Sequence, residues 1–91
     1  MATKFSTPEK AKCFAAFCFM CEPDKTHFER INDDVLITKF KKILHGPHEM
    51  FRFEGPKGYV RIMITHRHKF FKIFGRGYYC WVLQDGIARL L

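Results

Sequence analysis

Residues 50–65 read MFRFEGPKGYVRIMIT, in which two runs of alternating apolar and polar side chains flank the connection GPKG. Alternation with a period of two is typical of a β-strand with one buried face. A short connection containing glycine and proline favours an antiparallel hairpin. In the second run Val60, Ile62 and Ile64 share one face, which we expect to pack against helices. The opposite face of the sheet would carry Arg52, Tyr59, Arg61 and Lys72, with Tyr79 or Trp81.

Further β-branched and aromatic runs follow this hairpin toward the end of the chain. Together they predict a sheet half over about residues 49–91, because turn-forming residues separate each run from the next. The connections are short, which favours an antiparallel meander of four or five strands. The expected strands are 50–54, 59–65, 69–74 and 78–83, with a short last strand at 87–91.

The first half of the chain, about residues 7–46, has helical patterns. A helix should begin at Thr7, whose side chain can accept a hydrogen bond from an unpaired backbone N–H, and Pro8 suits the first helical position. Apolar side chains then recur at i, i+3, i+4 and i+7, and we expect this stripe to face the sheet. Its members are Phe14, Phe17, Cys18 and Cys21.

A second helix can begin at Thr26, with Glu29 completing a capping box. It either continues to His45 or restarts at Asp33. The predicted fold class is therefore α+β, in a single domain over residues 1–91. Two or three N-terminal helices would pack on a C-terminal antiparallel meander of four or five strands.

The composition limits the classes of protein to which the chain can belong. It has 91 residues, 16 Lys and Arg against 9 Asp and Glu, and a formal net charge of +7. The longest apolar run, residues 13–21, is about half of what a membrane-spanning helix needs, so no span is expected. The chain lacks a signal-peptide pattern, so we expect a cytoplasmic or organellar protein that is not secreted. Its four cysteines are then free thiols.

Basic residues dominate the stretch 57–76, which contains no Asp or Glu. A basic sheet face with interleaved aromatic side chains can neutralise phosphates and stack bases. The sequence therefore predicts a small, non-enzymatic binding or accessory protein that acts on RNA or a ribonucleoprotein. An acidic protein surface is the alternative partner. The candidate binding residues are Arg52, Lys57, Tyr59, Arg61, Arg67, Lys69, Lys72 and Arg76.

The cysteines have the spacing of an iron–sulfur motif, Cys13-x4-Cys18-x2-Cys21, with a distant Cys80. On a continuous helix, however, Cys13 and Cys18 point about 140° apart, which does not suit one cluster. A zinc site would have to combine Cys18 and Cys21 with His45 and His48, and the two residues between these histidines are fewer than the usual three to five. We therefore expect no metal and no cofactor, and no catalytic residues stand out, because neither a triad nor a phosphate-binding glycine motif is present.

A second functional hypothesis rests on the apolar run at residues 13–21. Phe19 and Met20 point away from the predicted sheet-facing stripe, and a small domain has little second layer to cover them. An exposed apolar pair of this kind indicates a docking surface. The protein would then be an interaction subunit or inhibitor that docks on a larger partner. The alternative is that the second helix, or residues 90–91, cover the pair.

Two further architectures agree with helices followed by strands. The opening TKFSTPE at residues 3–9, and the later runs at 58–62, 69–74 and 78–83, resemble RelE/ParE-type toxins at the level of pattern. The resemblance implies an mRNA-cleaving toxin that acts on ribosome-bound mRNA, with Arg61, Lys69 and Arg76 as candidate residues. The sequence departs from the family after Leu83, where the family's Gly-His-Arg-like ending is replaced by residues 84–87. The second architecture is a winged helix with residues 34–45 as recognition helix, turning Lys39, Lys41 and Lys42 toward a duplex.

Overall fold

A computed structural model of the chain describes residues 3–43, 47–67 and 77–91. Its regular elements follow one another as α1 (Pro8–Cys18), β1 (Glu29–Ile31), α2 (Asp34–Lys39), β2 (His48–Gly55), β3 (Gly58–Arg67), β4 (Gly77–Gln84) and β5 (Ile87–Leu90). Short 3-10 helices occupy Pro23–Lys25 and Lys41–Ile43. No helix in these described ranges is both long enough and apolar enough to cross a membrane.

The five strands form one antiparallel sheet in the order β1-β2-β3-β4-β5. Two-residue turns close the β2–β3 and β4–β5 hairpins, with Gly55 opposite Gly58 and Gln84 opposite Ile87. In the second turn Asp85 has φ 53° and the following Gly86 has φ 76°. Positive φ at both central residues belongs to the turn type that matches the right-handed twist of paired strands.

The prediction of two or three helices packed on a sheet is wrong. The only described helix longer than six residues is α1, because the segment predicted as a second helix from Thr26 is interrupted by the edge strand β1. Pairing with β2 satisfies the backbone of this segment instead. The side chain of Asp33 then accepts hydrogen bonds from the N–H groups of Val35 and Leu36, which begins the short α2.

The strand pattern of the second half agrees with the structure where the structure describes it. The predicted strands at 50–54, 59–65, 78–83 and 87–91 correspond to β2, β3, β4 and β5. The predicted strand at 69–74 lies outside the described residues. The remaining strand of the sheet, β1, was not predicted, and it comes from the half of the chain that was predicted to be helical.

Helix α1 covers one face of the sheet, which we call the α1 face. Ala11, Ala15 and Ala16 are fully buried there. The large side chains of this core come from the strands, and alternation in β2 and β3 places them on one side, as the sequence predicted. They are Phe51, Phe53, Ile62, Ile64, Cys80 and Val82, joined by Phe5.

The predicted orientation of α1 is therefore wrong. Phe17 is 75% exposed and Cys18 is also exposed, whereas the stripe was expected to face the sheet. Phe14 is 38% exposed and lies at the margin, with its ring centroid 5.3 Å from that of Phe5, and only Cys21, beyond the end of the helix, packs against the core of the α1 face. The sheet already fills this interface with aromatic and branched side chains. Small residues let the helix approach them closely, so Ala15 and its neighbours turn inward and the larger helix residues turn out.

The opposite face of the sheet is covered at its centre by α2, and we call it the α2 face. Met50, Met63 and Leu83 are buried beneath Leu36, Ile37 and Phe40. At the margin of this cluster the indole N–H of Trp81 donates a hydrogen bond to the hydroxyl of Thr65 at 3.0 Å. The centre of the α2 face is therefore a second small core rather than an open surface.

We expect Ala15→Leu to lower the free energy of unfolding by about 1–3 kcal/mol, because extra methylene groups would overpack the contact between α1 and the sheet. Phe17→Leu should change it by less than about 0.5 kcal/mol, because that side chain is mostly exposed. Urea denaturation followed by circular dichroism measures both. Equal losses for the two variants would contradict this orientation of α1.

Cys80 lies in the centre of the α1 face and is fully buried. Burial, with a smaller contribution from Cys18, raises the pKa of the Cys80 thiol from 9.0 to about 12. Below pH 9 the thiol is protonated in both the folded and the unfolded chain, so it has no effect on stability. Above pH 9 only the unfolded chain loses this proton, and stability falls as the pH rises.

At pH 10.5 this effect should cost the folded protein about 2 kcal/mol relative to pH 8. Cys80→Ala will be less stable at both values, but we expect its loss between pH 8 and pH 10.5 to be smaller by that amount. Urea denaturation of both proteins at the two pH values measures the difference. The same loss in both proteins would mean that Cys80 ionises freely in the fold.

Candidate functional site

The structure brings several of the candidate binding residues together at one end of the strands, where the β2–β3 and β4–β5 turns lie. We call this end of the sheet the turn end. On the α2 face, Arg52 of β2 is paired directly opposite Arg61 of β3, and Glu54 is paired opposite Tyr59. Helix α2 covers the rows beyond them, so these two rows remain accessible.

Arg52 is held from two sides. Its Nε donates to Glu29 Oε2 at 3.0 Å, and its Nη2 lies 3.0 Å from the same oxygen. The guanidinium carbon is 4.8 Å from the centroid of the Tyr59 ring, a distance typical of a cation–π contact. Glu29 lies opposite Arg52 across the β1–β2 pair, so the edge strand fixes this arginine against the tyrosine.

Arg61 has no such partner. It is exposed, and its side chain makes no hydrogen bond or ion pair with any residue that the structure describes. Like charges opposite each other on paired strands repel, and Glu29 is already engaged by Arg52. The guanidinium of Arg61 is therefore available to an external anion, which would also relieve this repulsion.

A groove of about 560 Å³ adjoins this cluster, between the sheet edge and the segment around the first 3-10 helix. Tyr59, which is 67% exposed, lies on its wall. The groove is of mixed charge. Its ionisable and aromatic lining residues are Cys21, Glu22, Lys25, His27, Glu29, Arg52, Phe53, Glu54 and Tyr59.

Two lysines add positive charge to the turn end. Lys57 is exposed in the β2–β3 turn. The ammonium nitrogen of Lys39, at the end of α2, would be 2.9 Å from a Cβ atom placed on Gly86, so it lies against the β4–β5 turn. Lys39 was not among the candidate residues for the sheet face. Only the winged-helix alternative used it, and nothing in the local pattern shows that α2 ends at this turn.

The remaining basic candidates are not part of this cluster. Arg67 is paired with Gly77 at the other end of β3. It lies six positions after Arg61 along β3, which corresponds to about 20 Å. Lys69, Lys72 and Arg76 lie outside the described residues. The described basic residues of the sheet therefore do not form one continuous face, because α2 covers the centre between the two ends.

The two residues predicted as a protein interface are placed differently from each other. The Phe19 ring packs against Phe53 of the α1 face, with centroids 6.1 Å apart in an edge-on arrangement. Met20 is 87% exposed and has φ 61°, so the chain turns sharply just after α1. The structure therefore joins Phe19 to the core and leaves Met20 at the surface.

The described residues contain no group of three or more His, Cys, Asp or Glu side chains that could hold a metal ion. Cys13 and Cys18 are exposed on α1, and the thiol of Cys21 is directed toward the carbonyl oxygen of Glu54 at 3.8 Å. His45, a possible zinc ligand by sequence, lies outside the described residues.

Comparison with known protein families, with curated proteins and with solved structures finds no match for this chain. The resemblance to RelE/ParE-type toxins therefore remains a prediction from the sequence pattern. Function has to be inferred from the geometry of the turn end.

Tyr59→Leu, Lys57→Gln and Arg61→Gln should each change the free energy of unfolding by less than about 1 kcal/mol, because all three side chains are exposed. Thermal and urea denaturation measure this change. A larger loss for any of them would show that the residue supports the fold, and its binding phenotype would then not report on an interface.

Proposed function

We propose that the protein binds single-stranded nucleic acid, above all RNA, at the turn end of its sheet. One base would stack on the ring of Tyr59, and the neighbouring phosphates would contact Arg61, Lys57 and Lys39. No chemical step is required of these residues. The protein would act as a small basic binding or accessory factor.

The observation that carries this proposal is the pairing of an exposed aromatic ring with an unpartnered arginine. Tyr59 is held on one side by Arg52, which is itself fixed by Glu29. The ring of Tyr59 is thus ordered before a ligand arrives, so less conformational entropy is lost when a base stacks on it, whereas the side chain of Arg61 is ordered only by the anion that it binds. Stacking of a base on such a ring contributes about 1–3 kcal/mol without regard to sequence.

The acidic residues in the groove favour single strands over duplex. Glu54 lines it beside Tyr59, and its carboxylate, which makes no ion pair with a described residue, would repel a phosphate backbone laid along the groove. The same carboxylate can accept hydrogen bonds from the exocyclic amino groups of bases. Base edges are exposed in this way in single-stranded loops and ends, which are the usual targets of RNA-binding proteins.

The net charge of +7 supports the same proposal at longer range. A basic protein attracts polyanions, and its binding weakens as salt increases because released counterions lose their entropic advantage. Salt dependence therefore measures how many phosphates the protein contacts, whereas stacking on Tyr59 is largely independent of salt.

We expect the affinity for a fluorescent single-stranded RNA of about ten nucleotides to fall linearly with salt on a double-logarithmic plot. Lys57→Gln combined with Arg61→Gln should make the slope shallower by about 0.7 for each phosphate that the protein no longer neutralises. Tyr59→Leu should weaken binding about tenfold with the slope unchanged, because it removes stacking alone.

Arg89→Gln is the matched control, because Arg89 is exposed on β5, away from the α2 face, and makes no ion pair with a described residue. Fluorescence anisotropy at four or more salt concentrations measures all variants. Absence of salt-sensitive binding in the unmodified protein would reject the proposal. If Arg89→Gln changed the affinity and the salt slope as much as the turn-end variants, binding would be non-specific charge attraction rather than recognition at the turn end.

A further inference from the structure

Glu54 brings a free carboxylate to the groove at the turn end. It is exposed, and its side chain makes no ion pair or hydrogen bond with any residue that the structure describes. Arg52, two residues earlier on β2, directs its Nε and Nη2 to Glu29 instead, each at 3.0 Å. The remaining carboxylate of the groove, that of Glu22, lies 3.2 Å from the ammonium group of Lys25. Glu54 is therefore the acidic group of this groove that is available to a ligand.

This carboxylate lies beside the aromatic ring of the site. Glu54 and Tyr59 are directly opposite each other on β2 and β3, and such residues share one face of the sheet with Cβ atoms about 5 Å apart. Arg52 covers one face of the Tyr59 ring, which is nevertheless 67% exposed, so the other face is open to a base. The edge of a base stacked on that face lies within reach of the Glu54 carboxylate.

We propose that Tyr59 and Glu54 select guanine as the base bound at the turn end. This inference rests on the proposed function and adds a preference among the four bases. A carboxylate has two acceptor oxygens and no donor. Guanine has two donors side by side on its Watson–Crick edge, the ring N1–H and the N2 amino group, so each oxygen receives a hydrogen bond. Hydrogen bonds to a charged group, made in parallel pairs, are stronger than neutral ones.

The other three bases fit a carboxylate less well. Adenine and cytosine each present one amino donor beside a ring nitrogen that is an acceptor, and its lone pair would face the second oxygen. Uracil presents one N–H between two carbonyl oxygens. An acceptor held against a carboxylate is repelled and loses its hydrogen bond to water, so these bases lose affinity. A site that hydrogen-bonds one particular group rejects a ligand without it.

The opposite wall of the groove suits the rest of a guanine. Lys25 and His27 belong to the segment around the first 3-10 helix, across the groove from the sheet edge. Guanine carries two acceptors, O6 and N7, which lysine side chains commonly contact. The contact of Lys25 with Glu22 is exposed and therefore weak, so the ammonium group can turn toward these acceptors. The groove thus has an acceptor on one wall and donors on the other, as guanine requires.

Fluorescence anisotropy with four ten-nucleotide RNAs tests the preference. Each strand is uridine throughout, except that one central position is guanosine, adenosine, cytidine or uridine. We expect the strand with guanosine to bind at least about tenfold tighter than the all-uridine strand. A fifth strand with inosine, which keeps the N1–H but lacks the N2 amino group, should bind with intermediate affinity.

Glu54→Gln should abolish the preference. An amide has one donor and one acceptor, and every base offers a matching pair on its Watson–Crick edge. The affinities for the guanosine and uridine strands should therefore come within about twofold of each other. Asp24→Asn is the matched control, because it removes the same charge from an exposed residue that does not line the groove. It should leave the affinity ratio unchanged.

A free nucleotide is the other source of a guanine base. Unlabelled guanosine monophosphate should displace the guanosine strand only at a concentration at least about a hundredfold higher than the unlabelled strand needs, because it brings a single phosphate to the site. Displacement at equal concentrations would overturn the proposal that the protein reads a guanine within a strand.

The same measurements separate this inference from the proposed function. Equal affinity for all four strands would overturn the guanine preference, as would a preference that Glu54→Gln leaves intact or that Asp24→Asn abolishes. If the strands still bind in a manner that Tyr59→Leu weakens, the proposed function stands although the preference fails. Absence of binding to every strand would overturn both.

Discussion

The close contact between α1 and the sheet is the constraint on which the rest of the structure depends. Ala11 and Ala15 of the helix are fully buried in one cluster with the large side chains of the strands, among them Phe53 and Ile62, and Ala16 is fully buried as well. Because protein interiors are close-packed, the size of the sheet residues leaves room only for small helix residues. The rotation of α1 follows, and with it the exposure of Phe17 and Cys18, which gives a small domain an apolar outer surface.

The α2 face of the sheet is covered only in part. Helix α2 is only six residues long and covers the centre of the sheet, so the turn end stays open. There the ion pair between Glu29 and Arg52 has two effects. It joins the three-residue edge strand β1 to β2 by a side-chain contact, and it orders Arg52 against the ring of Tyr59. Arg61, one strand further into the sheet, is left without an acidic partner among the described residues.

Local signals in the sequence predicted the hairpins and the start of α1. The period-two pattern at residues 50–65 specifies strands, and Thr7 does accept a hydrogen bond from the N–H of Lys10. The prediction of a second helix from Thr26 was wrong because a capping signal is local and competes with strand pairing. The hydroxyl of Thr26 donates to the carbonyl of Glu22 instead of capping a helix. The rotation of α1 and the position of Lys39 depend on distant partners, so periodicity could not predict them.

The orientation of α1 is the central claim of this account, and the reactivity of its cysteines measures it most directly. Dilute native protein is pulsed with N-ethylmaleimide at pH 8, and mass spectrometry of its peptides gives a rate for each thiol. The account predicts rapid modification of Cys13 and Cys18, with Cys80 modified only as fast as the protein unfolds. Protection of Cys13 and Cys18 to the same degree as Cys80 would contradict it, because the stripe would then face the sheet.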